Sequence, residues 1–227
     1  SPDGDAMSAL LAMTSYLTRK GKSVLPIVPN IFPDFLKWMP GIEQVRIYEK
    51  HEADLEMEII NADMLVCLDF NAFHRTDKLE ESLTYSSAKK VLIDHHLFPD
   101  LENFALAFTT PEISSASELL FHILKAMPQC EGKASNLPMK AAEALMTGMT
   151  TDTNNFANSV FPSTLHMASD LLAAGTDRDF ILNRLYNQYS ESRMRLMGYM
   201  LKDLMTITED GVAYMVLDSK VQKEYHI

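Results

Sequence analysis

The chain has 227 residues and a formal net charge of −11, and its length suffices for one large domain with a substantial core. This acidic balance excludes a broad surface for long duplex nucleic acid, because such affinity depends largely on phosphate neutralisation by Lys and Arg. No apolar stretch reaches the roughly 20 residues of a membrane span, and no signal segment is present, so we expect no membrane partner. The two cysteines, Cys67 and Cys130, lack metal-binding spacing, which favours a reducing, cytoplasmic location.

The first segment, SPDGDA, places Asp3 and Asp5 directly before a run of residues, 6–20, in which apolar side chains recur at helical spacing. The free N–H groups of a helix N-terminus favour nearby anions, either these carboxylates or a substrate phosphate. A DGD tripeptide by itself is more often a solvated turn, so its functional interpretation depends on the motifs that follow.

Short strands and helices then alternate, which is typical of βα units in a parallel sheet. We predict strands at 24–28, 45–47 and 64–68, with a helix at 52–60 between the second and third. The third strand is buried and leads directly into Asp69. The expected fold class is therefore α/β, with a parallel sheet flanked by helices.

The loop after Asp69 contains His74 and Arg75. A planar guanidinium pairs with two phosphate oxygens at once, so Arg75 is a candidate for binding a substrate phosphate. The alternative, an ordinary surface arginine, stays open. His74 is typical of a solvated loop histidine.

The segment KKVLIDHH contains a short apolar run, 91–93, that leads directly into Asp94, His95 and His96. A continuous apolar run bounded by charges is typical of a strand covered on both faces, as in a parallel sheet. Ligands of open α/β sheets gather just outside the carboxyl ends of the strands. We therefore expect this triplet to be the centre of the functional site.

The second half of the chain is predominantly helical. After a strand at 104–108, Ser115 and Glu118 have the spacing of a capping box at a helix N-terminus. A further helix is predicted at 138–146, and Asp152 follows it within LMTGMTTDTNNF. The remaining predicted elements are helices at 163–174, 177–188 and 191–204 and a hairpin at 205–217 that turns at Asp210-Gly211.

Four segments thus place acidic residues or histidines at the end of an apolar element. They are, in order, Asp3-Gly4-Asp5, Asp69, Asp94-His95-His96 and Asp152 within TGMTTDT. This ordered set resembles the motifs of the DHH phosphoesterase superfamily, over residues 1 to 153. The SPDGDA, LDFNAFHR and NQYSESRMRLMGY segments are most similar to the exopolyphosphatase-related branch of bifunctional oligoribonucleases and phosphoadenosine-phosphate phosphatases.

The resemblance also implies how the chain is divided. The first family motif begins with a histidine, which would lie two positions before Ser1. The family continues into a DHH-associated domain with a glycine-rich signature that this sequence does not contain. We therefore expect residues 1–190 to form the DHH domain. Residues 191–227 are expected to form a helical linker and the first elements of a truncated or unseen C-terminal domain.

The chemistry of these residues indicates a metal centre. Four aspartates and a histidine form an oxygen-rich ligand set that suits Mg²⁺ or Mn²⁺, and the imidazole favours Mn²⁺. Two such ions can hold the attacking and leaving oxygens of a phosphoester in an in-line displacement. We therefore expect two Mn²⁺ ions, with Mg²⁺ as the alternative.

The resemblance implies a role for each motif residue. The expected metal ligands are Asp3, Asp5, Asp69, His95 and Asp152, with Asp69 bridging the two ions. The expected catalytic residues are His96, which faces the substrate phosphate, and Asp94, which orients an imidazole. Together with Arg75, His96 is expected to bind the substrate.

By this resemblance, the expected activity is hydrolysis of short oligoribonucleotides and removal of the 3′-phosphate of phosphoadenosine phosphate. Its partners would then be short RNA or small phosphorylated nucleotides. An exopolyphosphatase or pyrophosphatase shares the metal cluster and stays open, as does a metal-binding regulatory domain without catalysis. A nuclease acting on long single strands is disfavoured by the acidic charge. A stripe of methionines, Met194, Met197, Met200 and Met205, is typical of a core or an interface, and the methionine-rich helices are compatible with a homodimer.

Overall fold

The computed structural model describes residues 2–225, which divide into two compact units, 2–181 and 182–225. The helices are α1 (Gly4–Arg19), α2 (Glu52–Ile60), α3 (Leu79–Tyr85), α4 (Ala116–Ala126), α5 (Met139–Asp152), α6 (Pro162–Ala173), α7 (Arg178–Tyr186), α8 (Glu191–Tyr199) and α9 (Ser219–Glu224). The strands are β1 (Ile27–Val28), β2 (Arg46–Ile47), β3 (Met64–Leu68), β4 (Lys89–Asp94), β5 (Leu106–Thr109), β6 (Thr206–Ile207) and β7 (Ala213–Tyr214).

A parallel sheet of β3, β4 and β5 forms the part of the first unit that carries the site. β4 lies in the middle, and its residues Leu92 and Ile93 are buried. Leu68 of β3 pairs with Ile93, so Asp69 and Asp94 leave their strands at the same edge of the sheet. The predicted α/β fold with a parallel sheet is confirmed.

A second parallel pair, β1 and β2, is shorter than the strands predicted at 24–28 and 45–47. Pro26 explains the late start of β1, because proline has no N–H to donate to a ladder. The backbone N–H of Arg46 donates to the Pro26 carbonyl at 2.9 Å, and regular pairing begins at Ile27. β5 likewise begins at Leu106 rather than at residue 104, because Phe104 ends a 3₁₀ turn.

Helices α1, α4 and α5 pack against one another beside this sheet. Small buried residues, including Ala9 of α1 and Ala144 of α5, allow the close approach. The contact is tightest at Gly148, where an added Cβ would lie 2.0 Å from the Ser117 hydroxyl oxygen of α4. This three-helix packing brings chain segments that are far apart in sequence to one end of the sheet.

Two predictions about the helices of the first unit need correction. α5 does not end at residue 146 but continues to Asp152, through threonines and a glycine with low helix propensity, because its burial between α1 and α4 outweighs propensity. At the start of α4, the Ser115 hydroxyl accepts from the Glu118 N–H at 2.9 Å, as predicted. The Glu118 carboxylate accepts from the N–H of Ser114 rather than that of Ser115, so the capping box is only half formed.

The second unit contains α8, a hairpin and α9. The helix predicted at 191–204 ends as an α-helix at Tyr199 and continues as a π-helical segment, Met200–Leu204. β6 and β7 pair antiparallel, and Gly211 adopts the left-handed conformation that the predicted turn requires. Across residues 2–225, no helix combines the length and apolar character needed to cross a membrane.

Candidate metal centre

The structure places Asp69 immediately after β3, with its backbone N–H donating to the Ile93 carbonyl at 3.1 Å. Its backbone φ is +63°, a left-handed conformation that aspartate tolerates better than most residues. The side chain is nearly buried, and its Oδ1 atom has no hydrogen-bond partner. Because a buried oxygen without a partner is costly, this atom fits a site that a cation completes.

Asp94 is the last residue of β4 and orients His96. Its Oδ1 lies 2.7 Å from Nδ1 of His96, and its Oδ2 accepts from the His96 backbone N–H at 3.2 Å. The Asp94 side chain is fully buried, whereas that of His96 is one-third exposed. Because Nδ1 faces Asp94, the other ring nitrogen of His96 is available to a ligand.

His95 is the residue on which the carboxylates converge. Its Nε2 lies 3.4 Å from Oδ1 of Asp69 and 3.5 Å from Oδ2 of Asp152. Asp69 comes from the end of β3, whereas Asp152 is the last residue of α5. The two adjacent histidines therefore have different surroundings. His95 lies between carboxylates of distant segments, whereas the nearest carboxylate of His96 is that of Asp94, with Oδ1 of Asp69 farther away at 3.8 Å from Nδ1.

Asp5 lies in the first turn of α1 and is buried. Its Oδ2 accepts from the Ala116 N–H at 2.6 Å and its Oδ1 from the Ser117 N–H at 3.0 Å, both in the first turn of α4. Helix N-terminal amides stabilise an anion through their unpaired donors and the helix dipole. The N-terminus of α4 thus holds Asp5 in place.

Asp3 has a different position from the other motif aspartates. It is exposed and caps α1, with Oδ1 accepting from the backbone N–H groups of Asp5 and Ala6 at 3.0 Å each. Its charge nevertheless contributes to raising the pKa values of Asp69 and Asp152, so its carboxylate is part of the same electrostatic environment.

Within the described part of the chain, two groups of three side chains have ligand atoms close enough to share one metal ion. The first consists of Asp5, His95 and Asp152, and the second of Asp69, His95 and His96. Asp3 belongs to neither group. The structure therefore brings together Asp5, Asp69, His95 and Asp152 among the predicted ligands, and adds His96 to them by geometry.

Burial and the repulsion between neighbouring carboxylates both shift the pKa values of this cluster. Burial, together with the neighbouring carboxylates, raises the pKa of Asp5 well above its ordinary value and that of Asp152 to about 6. Burial also raises the pKa of Asp69, although the contact with His95 opposes the shift. For His95 burial lowers the pKa, but the carboxylates outweigh it and raise the value to about 9. Divalent cations would relieve this repulsion, so the residues present fit a metal centre.

A small cavity of about 170 Å³ opens beside the cluster. Its lining includes Asp3, Asp69, His96 and Arg75. The structure thus places Arg75 on the same cavity as His96, whereas His74 is not part of that lining. The hydrogen bond to Asp94 raises the pKa of His96, which favours its cationic form.

Comparison with known proteins identifies the family. Residues 1–149 match the model of the DHH family, N-terminal domain. The chain belongs to the DHH family. The match includes Asp3, Asp5, Asp69 and the Asp94-His95-His96 triplet, and it ends three residues before Asp152.

Two relatives of this chain are cyclic-di-AMP phosphodiesterases. The cyclic-di-AMP phosphodiesterase GdpP of Geobacillus thermodenitrificans is 30% identical over 189 residues, and that of Bacillus subtilis is 26% identical over 184 residues. Each alignment covers 78% of this chain and 27% of the relative, so the chain spans about a quarter of these curated relatives.

A solved DHH relative extends the comparison to the whole chain. The crystal structure of an exopolyphosphatase-related protein from Bacteroides fragilis has a TM-score of 0.91 and 39% identity. It covers 100% of this chain, which in turn covers 65% of that protein. The helices and hairpin that follow the region matched by the DHH model are therefore also shared with a solved relative.

The sequence did not reveal how Asp5 is held. The Ala116 and Ser117 amides have no side-chain signature, and the SSASE segment was interpreted only as a helix cap. A helix N-terminus with two small residues in its first turn was the available signal, because small side chains let another carboxylate reach the backbone amides.

Proposed function

We propose that this DHH protein is a divalent-metal-dependent phosphoesterase that hydrolyses short oligoribonucleotides and the 3′-phosphate of phosphoadenosine phosphate. The observation that carries the proposal is the position of His95, which belongs to two potential ligand groups and lies beside an unpartnered buried oxygen of Asp69. Such shared clusters of carboxylates and imidazoles suit Mn²⁺ or Mg²⁺ in two-ion sites.

In the proposed centre, Asp5, His95 and Asp152 would hold one ion, and Asp69 would serve as a ligand to both ions. Asp3 would join the second ion, because its charge acts on Asp69 while only its Oδ1 is engaged in capping α1. The pair of Mn²⁺ ions, or of Mg²⁺ ions, would supply positive charge to the phosphate and lower the pKa of water.

The remaining residues act on the substrate. His96, held by Asp94, would in its protonated form donate a hydrogen bond from Nε2 to a phosphate oxygen, and the contact with Asp94 favours that form by raising the pKa of the imidazole. Arg75, on the same cavity, would bind that phosphate through its guanidinium. Both residues stabilise the charge that develops on the transferring phosphoryl group.

The cavity supports a substrate that enters through a phosphate group. Its volume of about 170 Å³ is below the roughly 300–1,000 Å³ of typical small-molecule sites. It would therefore admit the phosphate end, while the nucleoside is bound outside it. This arrangement fits short, phosphate-terminated nucleotides.

Two other substrates are favoured by specific relatives. Cyclic di-AMP is indicated by the GdpP relatives, which are cyclic-di-AMP phosphodiesterases 26% and 30% identical to this chain. Polyphosphate is indicated by the name of the Bacteroides fragilis relative, which is 39% identical. Each contains a bond that the same metal centre could hydrolyse, so substrate choice depends on contacts outside the phosphate cavity.

The domain assignment is also a proposal. Residues 1–190 would form the DHH domain, and residues 191–227 the helical linker and first elements of a C-terminal domain. Exposed methionines in the second unit, Met194 and Met197, fit a surface covered by further protein, and a homodimer stays a prediction.

The experiment is Mn²⁺-dependent hydrolysis by the full-length protein, side by side, of an RNA dinucleotide, phosphoadenosine phosphate, cyclic di-AMP and tripolyphosphate. Cleavage of the first two supports the proposal. Exclusive cleavage of cyclic di-AMP or of tripolyphosphate would replace it with the corresponding alternative. Inactivity on all four, with Mn²⁺ bound, would favour the regulatory role.

A further inference from the structure

Glu118 is a buried acid that contacts none of the proposed metal ligands. Its side chain has no exposed surface, although it lies in the first turn of α4. Its Oε2 accepts from the Ser114 N–H at 3.1 Å, from the Ser114 hydroxyl, and from the Thr164 hydroxyl of α6 at 2.7 Å. A buried carboxylate with this many donors is held in one position.

These contacts organise the same helix turn that holds Asp5. The Ser114 N–H donates to Glu118, and the Ala116 and Ser117 N–H groups donate to Asp5. The Glu118 N–H donates to the Ser115 hydroxyl at 2.9 Å. Two buried carboxylates therefore share the amide donors at the start of α4, one on each side of the N-cap.

Neighbouring elements fix this arrangement from two further sides. Thr164 belongs to the first turn of α6, and its hydroxyl also accepts from the Phe161 N–H at 3.1 Å. On the other side, an added Cβ at Gly148 of α5 would lie 2.7 Å from Oδ1 of Asp5. A shift of the first turn of α4 would therefore move Asp5 directly.

We infer that Glu118 is a positioning residue for the metal centre, which ties the Ser114–Ser117 turn to α6 so that its amides present Asp5 to the ion. Hydrogen-bonding partners behind a ligand tune metal affinity in this manner. Glu118 itself touches neither metal nor substrate. The inference rests on the proposed function only in taking Asp5 as a metal ligand.

The test measures Mn²⁺ binding directly, from the EPR signal of the free ion during titration, without substrate. Glu118→Gln keeps the shape of the side chain and removes its charge, and we expect Mn²⁺ to bind about tenfold more weakly. Thr164→Val removes a single donor and should give a smaller loss in the same direction. It serves as the second variant if the first folds poorly.

The control is Asp170→Asn, which breaks the contact of Asp170 with Lys125. That contact also joins α6 to α4, but at the far end of α4, so Mn²⁺ affinity should not change. In an Asp5→Asn background, Glu118→Gln should cause no further loss of Mn²⁺ affinity, because Glu118 affects the ion only through the position of Asp5.

Unchanged Mn²⁺ affinity in both Glu118→Gln and Thr164→Val, with only a lower melting temperature, would show a purely structural role and overturn the inference. The inference would also be overturned if Glu118→Gln weakened Mn²⁺ binding as much in the Asp5→Asn background as in the wild-type protein. Because no substrate is involved, a failure of the proposed phosphoesterase activity would not affect the result.

Discussion

Gly4 lies so close to Thr151 that an added Cβ would stand 2.5 Å from the threonine hydroxyl oxygen and 2.7 Å from its Cβ. Gly4 separates Asp3 from Asp5, and Thr151 precedes Asp152, so this contact joins two motifs of the site. The rigid β-branched side chain leaves no flexible end that could move aside. The distance between α1 and α5 at the site is therefore set by the absence of a side chain.

Gly4→Ala should lower both stability and Mn²⁺ affinity. Overpacking of this kind typically costs about 1–3 kcal/mol, and relief by separation of the helices would move Asp5 away from Asp152. Gly198→Ala is the matched control, because Gly198 of α8 has nothing within 4 Å of an added Cβ. It should be neutral or stabilising. Urea unfolding and Mn²⁺ titration measure the two effects, and equal behaviour of the variants would contradict the packing argument.

Asp69→Asn should abolish hydrolysis while leaving the metal-free protein as stable as before or more so. Asparagine tolerates the left-handed backbone at this position. Burial raises the pKa of Asp69, so the ionised carboxylate destabilises the folded state above about pH 4. The asparagine amide carries no charge and removes this destabilisation. Melting in EDTA and assays with Mn²⁺ measure the outcome. Normal turnover would overturn the bridging assignment.

His96→Ala should reduce kcat by about 10²-fold, the usual loss for a group that stabilises transition-state charge. Mn²⁺ affinity should change little, because the proposed partner of Nε2 is the substrate phosphate and Nδ1 is held by Asp94. His96 is nevertheless close enough to Asp69 and His95 to share an ion with them. A large loss of Mn²⁺ affinity would therefore assign His96 as a metal ligand instead.

Arg75→Ala should raise KM for phosphate-terminated substrates, with a partial recovery in Arg75→Lys, which keeps the charge but not the bidentate geometry. Lys78→Ala is the control, since Lys78 is exposed and pairs with Glu52 at 2.5 Å rather than lining the phosphate cavity. Steady-state kinetics on the preferred substrate provide the measurement. An equal effect of both substitutions would indicate general electrostatics rather than a specific contact.

Glu118 should also produce a distinctive dependence of stability on pH. Despite its burial, contacts with His122, Ser114 and Thr164 lower its pKa to about 2, below the ordinary 4.5. A lowered acid pKa stabilises the fold above pH 4.5, and that contribution, about 3 kcal/mol, disappears as the pH falls towards 2.

Unfolding in EDTA between pH 2 and 6 provides the measurement. The difference in free energy of unfolding between wild type and Glu118→Gln should be largest above pH 4.5 and shrink below it. Comparison of the two proteins cancels the opposite contributions of Asp5 and Asp152, whose pKa values are raised. A difference that does not change with pH would contradict an ionised Glu118.

Motifs at strand ends were predictable from the sequence because each ligand residue adjoins its strand in the chain. Asp69 and Asp94 follow short apolar runs whose pattern favours strands, and the parallel sheet then places them at one edge. Helix spacing similarly located α1 and α4. These features depend on local pattern, which a single sequence records well.

Features that depend on packing between distant segments were not predictable. The extension of α5 to Asp152 requires burial against α1, and the support of Asp5 requires amides more than 100 positions away in the chain. Asp3 and Asp5 belong to the same motif and are the same residue type, yet Asp3 caps a helix at the surface and Asp5 is buried. Nothing in the tripeptide distinguishes the two carboxylates before the helices are docked.

Strand register has an unusual consequence in this sheet. Because one residue of the site, Asp69, directly follows β3 and another, Asp94, ends β4, the alignment of the two strands, Leu68 opposite Ile93, determines which site atoms lie close together. A slip of one residue would turn every side chain of the strand to the other face, although the compactness and helix content of the molecule would hardly change. Spectroscopic measurements of secondary structure would then not distinguish such a molecule from the native one, whereas metal titration would show that it does not bind metal. Competence to bind metal is thus a stricter criterion of the native state than the presence of its secondary structure.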